Sequence, residues 1–209
     1  MTFDQMVNMI AVLLGNRPNL KGRIENKAEF VKEFTLEGDP EFQPWFLLNE
    51  DQTIATVADQ AYVNIPADFI TEYEYGFLEN TNGCTILKGE FDKLKAANAS
   101  TTEGVQTSGE PSRYAMVGLR MYLFPVPDAV YNLPIRYFAK TAVFAESKTD
   151  NPWLLFAGDW ILNATAKAVA KDLQNDAKAK ELATDTLVSR ARVLAKHHED
   201  EAKNIGGYP

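Results

Sequence analysis

The spacing of apolar residues changes twice along this chain, and that double change limits the fold more than any other feature. Up to about residue 43, apolar side chains recur every three to four positions, as on one face of a helix. From about Pro44 they alternate with polar ones, as on a half-buried strand. From Asp150 onward the helical spacing returns. Helices, then strands, then helices predict an α+β fold. Residues 1–43 and 150–209 are expected to form one helical bundle domain, with residues 44–149 inserted as a β-rich module.

Local signals fill in that plan. Phe3, Met6, Val7, Ile10, Leu13 and Leu14 share a helical face; Thr2 with Gln5 makes a capping box, and Gly15 can close the helix in a left-handed conformation. A second helix is predicted from near Leu20 to Leu36, with Ile24, Val31 and Phe34 inward and Gly38-Asp39-Pro40 as its stop. Gly22 weakens it by about 1 kcal/mol relative to Ala. In the middle, "QAYVNIPADF" reads as a strand stopped by Pro66, and in "TEYEYGF" Tyr73, Tyr75 and Phe77 alternate with polar or small residues. Lys88 to Ala97 fits a short helix with Phe91 and Leu94 inward. Residues 98–112 are a Ser/Thr/Gly-rich loop without periodicity. "RYAMVGLRMYLFPVPD" reads as a hairpin with its turn at Val117-Gly118, with Leu119, Met121 and Leu123 on one face and a proline stop. Tyr131, Leu133, Ile135 and Tyr137 line a further strand, whose Pro134 cannot donate to a ladder and is expected at an edge or bulge.

Asn151 and Pro152 supply a cap and a first-turn proline for the helical ending. Trp153, Ala157, Trp160, Ile161, Ala164 and Ala168 form its apolar stripe. After a turn near Gln174-Asn175-Asp176, a long last helix is predicted through about Lys203, with Leu187, Ala191, Leu194 and Ala195 inward. Its tail, "NIGGYP", should be mobile unless something binds it.

The residues offer little catalytic chemistry. A formal charge of −8 over 209 residues argues against a general nucleic-acid binder, which is usually basic. The single cysteine, Cys84, excludes an internal disulfide framework, suits a reducing compartment, and reads as a small buried residue. The apolar run Met9 to Leu14 is too short to span a membrane, and Thr2-Phe3-Asp4-Gln5 lacks the positive residues of a signal peptide, so the chain is expected to be cytoplasmic when made. His197 and His198 point about 100° apart on a helix. His197 with Glu201 could share a metal, but a solvated helix end beside Glu199 and Asp200 explains them better. Asp68 and Asp128 stand beside Pro66 and Pro127, where aspartate usually bonds the local backbone. Trp45, Phe46, Trp153 and Trp160 read as core. No phosphate loop, zincin motif or nucleophile elbow is present. No catalytic residue, cofactor or metal is assigned.

Four stretches taken in order carry a resemblance: "PWFL" at 44–47, "TIATVADQAYVNIPADF" at 53–69, "GEPSRYAMVGLRMYLFPVPDAVYNLPIRYFAK" at 109–140 and "NPWLLFAGDWILNATAKAVAKDL" at 151–173. Within them Pro66-Ala67-Asp68-Phe69, Pro111-Ser112-Arg113-Tyr114 and Pro125-Val126-Pro127-Asp128 fall where strands end or turn. The chain resembles the head-to-tail adaptor proteins of tailed bacteriophages, which join the portal to the tail. That resemblance implies a structural virion protein of the neck without catalysis, present in host cytoplasm during assembly. It implies a ring, commonly of about twelve copies. The implied partners are the portal protein, the tail or nozzle protein, neighbouring copies of the chain, and genomic DNA passing through the bore without specific binding; no membrane is involved. Alone, the chain is expected to be monomeric or weakly associating, forming its ring on the portal. Ile205 and Tyr208 are expected to anchor on the portal about a Gly206-Gly207 hinge, with Pro209 in the same segment. Asn98, Ser100, Thr101, Thr102, Glu103, Gln106 and Thr107 are expected to meet the tail protein or a neighbouring copy. A tail terminator would share the ring but not the paired terminal helices. A small enzyme would need a clustered site that the sequence does not display.

Overall fold

In the computed structural model, which describes residues 1–38, 43–73, 77–99 and 107–205, the first apolar stripe folds as α1 (Phe3–Leu13), burying Phe3, Met6, Val7 and Ile10. The capping box forms: the Gln5 N–H donates to Thr2 Oγ1 and the Thr2 N–H to Gln5 Oε1. Gly15, at φ +94°, takes the left-handed position that ends the helix. A 3₁₀ turn, Pro18–Leu20, leads into α2 (Lys21–Phe30), which continues as a π-helical segment, Val31–Leu36. Ile24 and Val31 are buried as expected, but Phe34 is 64% exposed. A π turn takes in one residue more than an α turn, so the stripe changes phase after Val31 and Leu36 turns inward instead. Asp39 and Pro40, part of the expected stop, lie outside the described residues.

The chain divides into two compact units, Met1–Leu47 with Lys140–Pro209, and Leu48–Ala139. In the first, Asn151 Oδ1 accepts the Trp153 N–H at 3.0 Å and caps α4 (Pro152–Phe156). Ala157 (φ −131°, ψ 28°) breaks the helix before α5 (Gly158–Asp172), so the expected stripe is shared by two helices. Gln174, at φ +56°, reverses the chain into α6 (Asp176–Ile205). There the expected inward face is corrected: Leu187, Ala191 and Ala195 are exposed and Leu194 is half-buried, while Leu182, Ser189 and Val193 are buried. Thr186 Oγ1 donates to the Leu182 carbonyl and Ser189 Oγ to that of Asp185, so both hydroxyls are satisfied by their own helix and can face its packed side.

Among the described residues of this unit, two charged side chains are buried, Lys32 and Glu37. Lys32 Nζ meets Glu29 Oε2 at 3.0 Å and the Ala142 carbonyl at 2.8 Å, and stands 5.0 Å from the Phe144 ring centre. Glu37 Oε1 accepts three donors: Trp153 Nε1 at 2.8 Å, Thr141 Oγ1 at 2.6 Å and the Thr141 N–H at 3.1 Å. Together they fasten the 141–144 segment and Trp153 of α4 to the π-helical region.

In the second unit, β1 (Leu48–Ala55), β3 (Phe69–Glu72) and β7 (Asn132–Ala139) form an antiparallel sheet in the order β1-β7-β3. β2 (Tyr62–Asn64), β4 (Leu87–Lys88), β5 (Arg113–Val117) and β6 (Arg120–Phe124) form another, in the order β2-β6-β5-β4. Strand texture thus begins at Leu48, after a 3₁₀ turn at Trp45–Leu47. One core joins both sheets through Val63, Met121, Leu123, Leu133, Ile135 and Tyr137. The short helix is α3 (Phe91–Asn98), with Leu94 buried against Ala115 and Phe124.

Several expectations are overturned here. Val117 pairs with Arg120, which leaves Gly118 (φ +59°) and Leu119 as a two-residue turn. Leu119 therefore sits at the tip, 83% exposed, rather than in the core. Pro134 is neither at an edge nor in a bulge: β7 is the central strand of its sheet, and Pro134 faces Thr53 of β1. Its carbonyl accepts the Glu79 N–H at 3.0 Å. The N–H and C=O of one strand residue point to the same side, so the missing donor lies on that side, away from β1. Cys84 is exposed, because it closes the 80–84 turn in which Asn80 Oδ1 accepts the N–H groups of Asn82 and Cys84. Asp68 and Asp128 accept tyrosine hydroxyls, from Tyr137 at 3.0 Å and Tyr131 at 2.6 Å, in place of the expected local backbone bonds. Tyr75 lies outside the described residues.

Candidate functional site

Three surfaces merit consideration, two expected from the sequence and one not. The first is the end of α6. Asn175 Oδ1 accepts the Lys178 N–H at 3.2 Å, and the helix then runs without interruption to Ile205. Ile205 is its last residue, while Gly206, Gly207, Tyr208 and Pro209, the rest of the expected hinge and anchors, lie outside the described residues.

The second is the Ser/Thr/Gly-rich loop. Its two ends are joined: the Thr107 N–H donates to the Asn98 carbonyl at 3.1 Å, and Thr107 Oγ1 to Asn98 Oδ1 at 3.0 Å. Asn98 Nδ2 in turn donates to the Leu94 carbonyl of α3 at 2.9 Å, and the Val126 N–H donates to the Thr107 carbonyl at 3.0 Å. A loop leaving such a clasp has both ends fixed to a helix and to the segment after β6. Ser100, Thr101, Thr102, Glu103 and Gln106 lie outside the described residues.

The third surface, missed in the sequence, is an aromatic cleft of about 390 Å³ in the first unit, lined by Trp45, Leu155, Phe156, Trp160, Arg192 and Lys196 among others. Trp45 and Phe156 rings lie 4.7 Å apart, and Phe46 meets both Phe156 and the buried Trp153. Lys196 Nζ stands 5.2 Å from the Trp45 ring centre and 5.7 Å from that of Phe156, within cation–π range. The helix break at Ala157 creates this surface, because α4 is too short to bury a continuous Leu154-Leu155-Phe156 run. Leu154 goes inward, while Leu155 and Phe156 are 53% and 44% exposed. The signal was legible as more consecutive apolar residues than one helical face can cover.

Three tyrosines of the β unit have shifted protonation, all in the same direction. Burial, with the hydrogen bond to Asp68 adding to it, pushes Tyr137 up to about 12. Burial, then the nearby Glu72, raises Tyr114 beyond the usual tyrosine range, and the bond to Asp128 raises Tyr131. A phenol held neutral donates a hydrogen bond and does not act as a base, so these are fastenings between strands and loops. Among the described residues, no group of three or more His, Cys, Asp or Glu could hold a metal ion. No described helix is long and apolar enough to cross a membrane. What the surfaces offer is shape, aromatic area and charge, which is the equipment for binding other macromolecules.

Compared with known families, residues 1–204 match the family model described as SU10 adaptor protein. No curated protein sequence matches the chain.

Proposed function

The chain belongs to the SU10 adaptor protein family, phage head-to-tail adaptors with a structural role in the virion neck, and from that premise we propose that it assembles as a ring of about twelve copies between portal and tail. DNA passes through the ring's bore without specific binding. The observation that carries this reading is the family match, which takes in nearly the whole chain and therefore both compact units. In this reading the helical unit and the inserted β-rich unit are separate domains.

Two of the candidate surfaces have a part. The end of α6 and the segment after it dock on the portal: Gly206-Gly207 provides a hinge, and Ile205 and Tyr208 provide apolar anchors. The clasped loop at 98–107 meets the tail protein or a neighbouring copy. The chain alone is monomeric or weakly associating, and the portal templates the ring.

The test is to mix the purified chain with the portal of the same phage and image the complex by electron microscopy, beside a chain lacking residues 204–209. The full chain is expected to add a ring to the portal. The shortened chain should keep its circular dichroism spectrum and lose attachment. A full-length chain that adds nothing to the portal rejects the adaptor reading, and a shortened chain that still attaches rejects only the docking role of the tail.

A further inference from the structure

Of the asparagines in the chain, only Asn82 precedes a glycine. The pair sits in the turn between Glu79 and Thr85, which are bridged antiparallel. The Gly83 N–H donates to the Asn80 carbonyl at 3.0 Å, and the Asn80 N–H to the Cys84 carbonyl at 2.9 Å. Neither Thr81 nor Asn82 has a positive φ, whereas Gly83 stands at +74°, so this is a type I turn closed by a left-handed glycine. Asn80 organises it, its Oδ1 accepting the N–H groups of Asn82 and Cys84. Among the described residues, no hydrogen bond holds the Asn82 side-chain amide, and Thr81, Asn82 and Gly83 are all exposed. Asn98 and Asn151, by contrast, are bonded at both ends of their amides.

We propose that Asn82 is a site of spontaneous modification, at which the Gly83 nitrogen displaces the side-chain amide. The Gly83 amide nitrogen, its proton taken by hydroxide, bonds to Asn82 Cγ; the Cγ–Nδ2 bond breaks, and with a proton from water the nitrogen leaves as ammonia. The product is a five-membered succinimide. Water then opens that ring at either carbonyl. Aspartate forms when the bond from Cγ to the Gly83 nitrogen breaks, and isoaspartate when the original peptide bond breaks. In sum, an amide and water become a carboxylate and ammonium, and nothing is oxidised or reduced. Glycine suits the step because it has no Cβ beside the attacking nitrogen and is free to change φ. Ring closure turns the Asn82–Gly83 peptide away from the ψ of about 0° that a type I turn gives its second central residue, which breaks the bond to the Asn80 carbonyl. That is a single exposed turn bond, of the kind that opens locally without unfolding the rest. The new carboxylate stands beside Thr81, whose N–H and hydroxyl both donate to Glu110, and isoaspartate also lengthens the backbone inside the turn. The chemistry needs neither the ring nor the portal.

The test holds the purified chain in mildly alkaline buffer, native and unfolded in urea, and follows each asparagine by peptide mass mapping. In the native chain Asn82 is expected to convert ahead of every other asparagine, to a mixture of aspartate and isoaspartate. Its rate should lie within about tenfold of the rate in urea, a factor equal to ~1.4 kcal/mol and about the most that one exposed turn bond contributes. Gly83→Ala, compared in urea where the fold plays no part, should slow conversion at least about tenfold, and Asn82→Ser should remove the early mass gain. An Asn82 still intact in the native chain once the unfolded chain has converted overturns the proposal, because the turn then protects it. Aspartate without isoaspartate, or an unchanged rate in Gly83→Ala, overturns the cyclic route.

Discussion

Removing the Glu37 side chain should destabilise the helical unit far more than its position at the end of a helix suggests. Glu37 is 3% exposed, and a single carboxyl oxygen receives the indole N–H of Trp153 and both the hydroxyl and N–H of Thr141. In Glu37→Ala the Thr141 hydroxyl can rotate to another acceptor, but the two N–H donors are fixed by ring and backbone. A buried donor left unpaired costs about 1–3 kcal/mol, so two of them with the lost packing come to roughly 3–5 kcal/mol. For a chain of this size each kcal/mol lowers Tm by about 2–4 °C. The expected fall is therefore on the order of 10 °C. Glu37→Gln is the informative partner: its amide oxygen occupies the same place and accepts from the same N–H donors, so its cost should stay near 1 kcal/mol. Thermal unfolding followed by circular dichroism and by tryptophan fluorescence reads both, since Trp153 reports directly on the site. If Glu37→Ala unfolds within about 2 °C of the unaltered protein, the bonds to Glu37 are not a fastening and the reasoning fails. Equal, large losses in both variants would show that charge, rather than donor satisfaction, is what matters there.

Three further outcomes follow from the same structure. Tyr137, with an ordinary unfolded value near 10, is pushed up to about 12 in the fold, so above pH 10 the unfolded chain loses this proton first. Stability is then complete below pH 10 and falls as pH rises toward 12, by on the order of 2 kcal/mol from this group; urea melts across that range should show the decline, and Tyr137→Phe should lessen it. Leu119→Ser, at the 83% exposed hairpin tip, should change stability by less than about 0.5 kcal/mol, whereas Met121→Ala two residues away, fully buried, should cost about 2–5 kcal/mol; comparable losses in denaturant melts would mean the hairpin register is wrong. Duplex DNA should bind no better than about 10⁻⁴ M at near-physiological salt, because Leu48–Ala139 holds twelve acidic against six basic residues and the remainder seventeen against fifteen; saturable binding at or below about 10⁻⁶ M in an anisotropy titration would give the chain a DNA-gripping role.

What the sequence settles by itself is whatever a few neighbouring residues can settle. The Thr2–Gln5 capping box, the Gly15 stop, the Asn151-Pro152 helix start and the strand ending before Pro66 all form as the residues dictate, because each depends on bonds or dihedral limits within one turn of chain. The double change of apolar period likewise yields an α+β chain, and four ordered stretches point to the adaptor family that the match over residues 1–204 establishes. The misreadings share a different cause. Phe34 turns out because a π turn, held where Lys32 and Glu37 bond to residues 141–142, shifts the phase of its helix. Pro134 can occupy a central strand because its missing donor points away from β1, which only the pairing of three strands decides. On α6 two apolar rows compete for one packed side, and the row with Thr186 and Ser189 packs because their hydroxyls bond back to their own helix. Leu187 and Val188 are left facing outward, so the row that local periodicity marked as core lies on the surface. Periodicity fixes how many faces a helix has, but only the neighbours that close over it decide which face is inside.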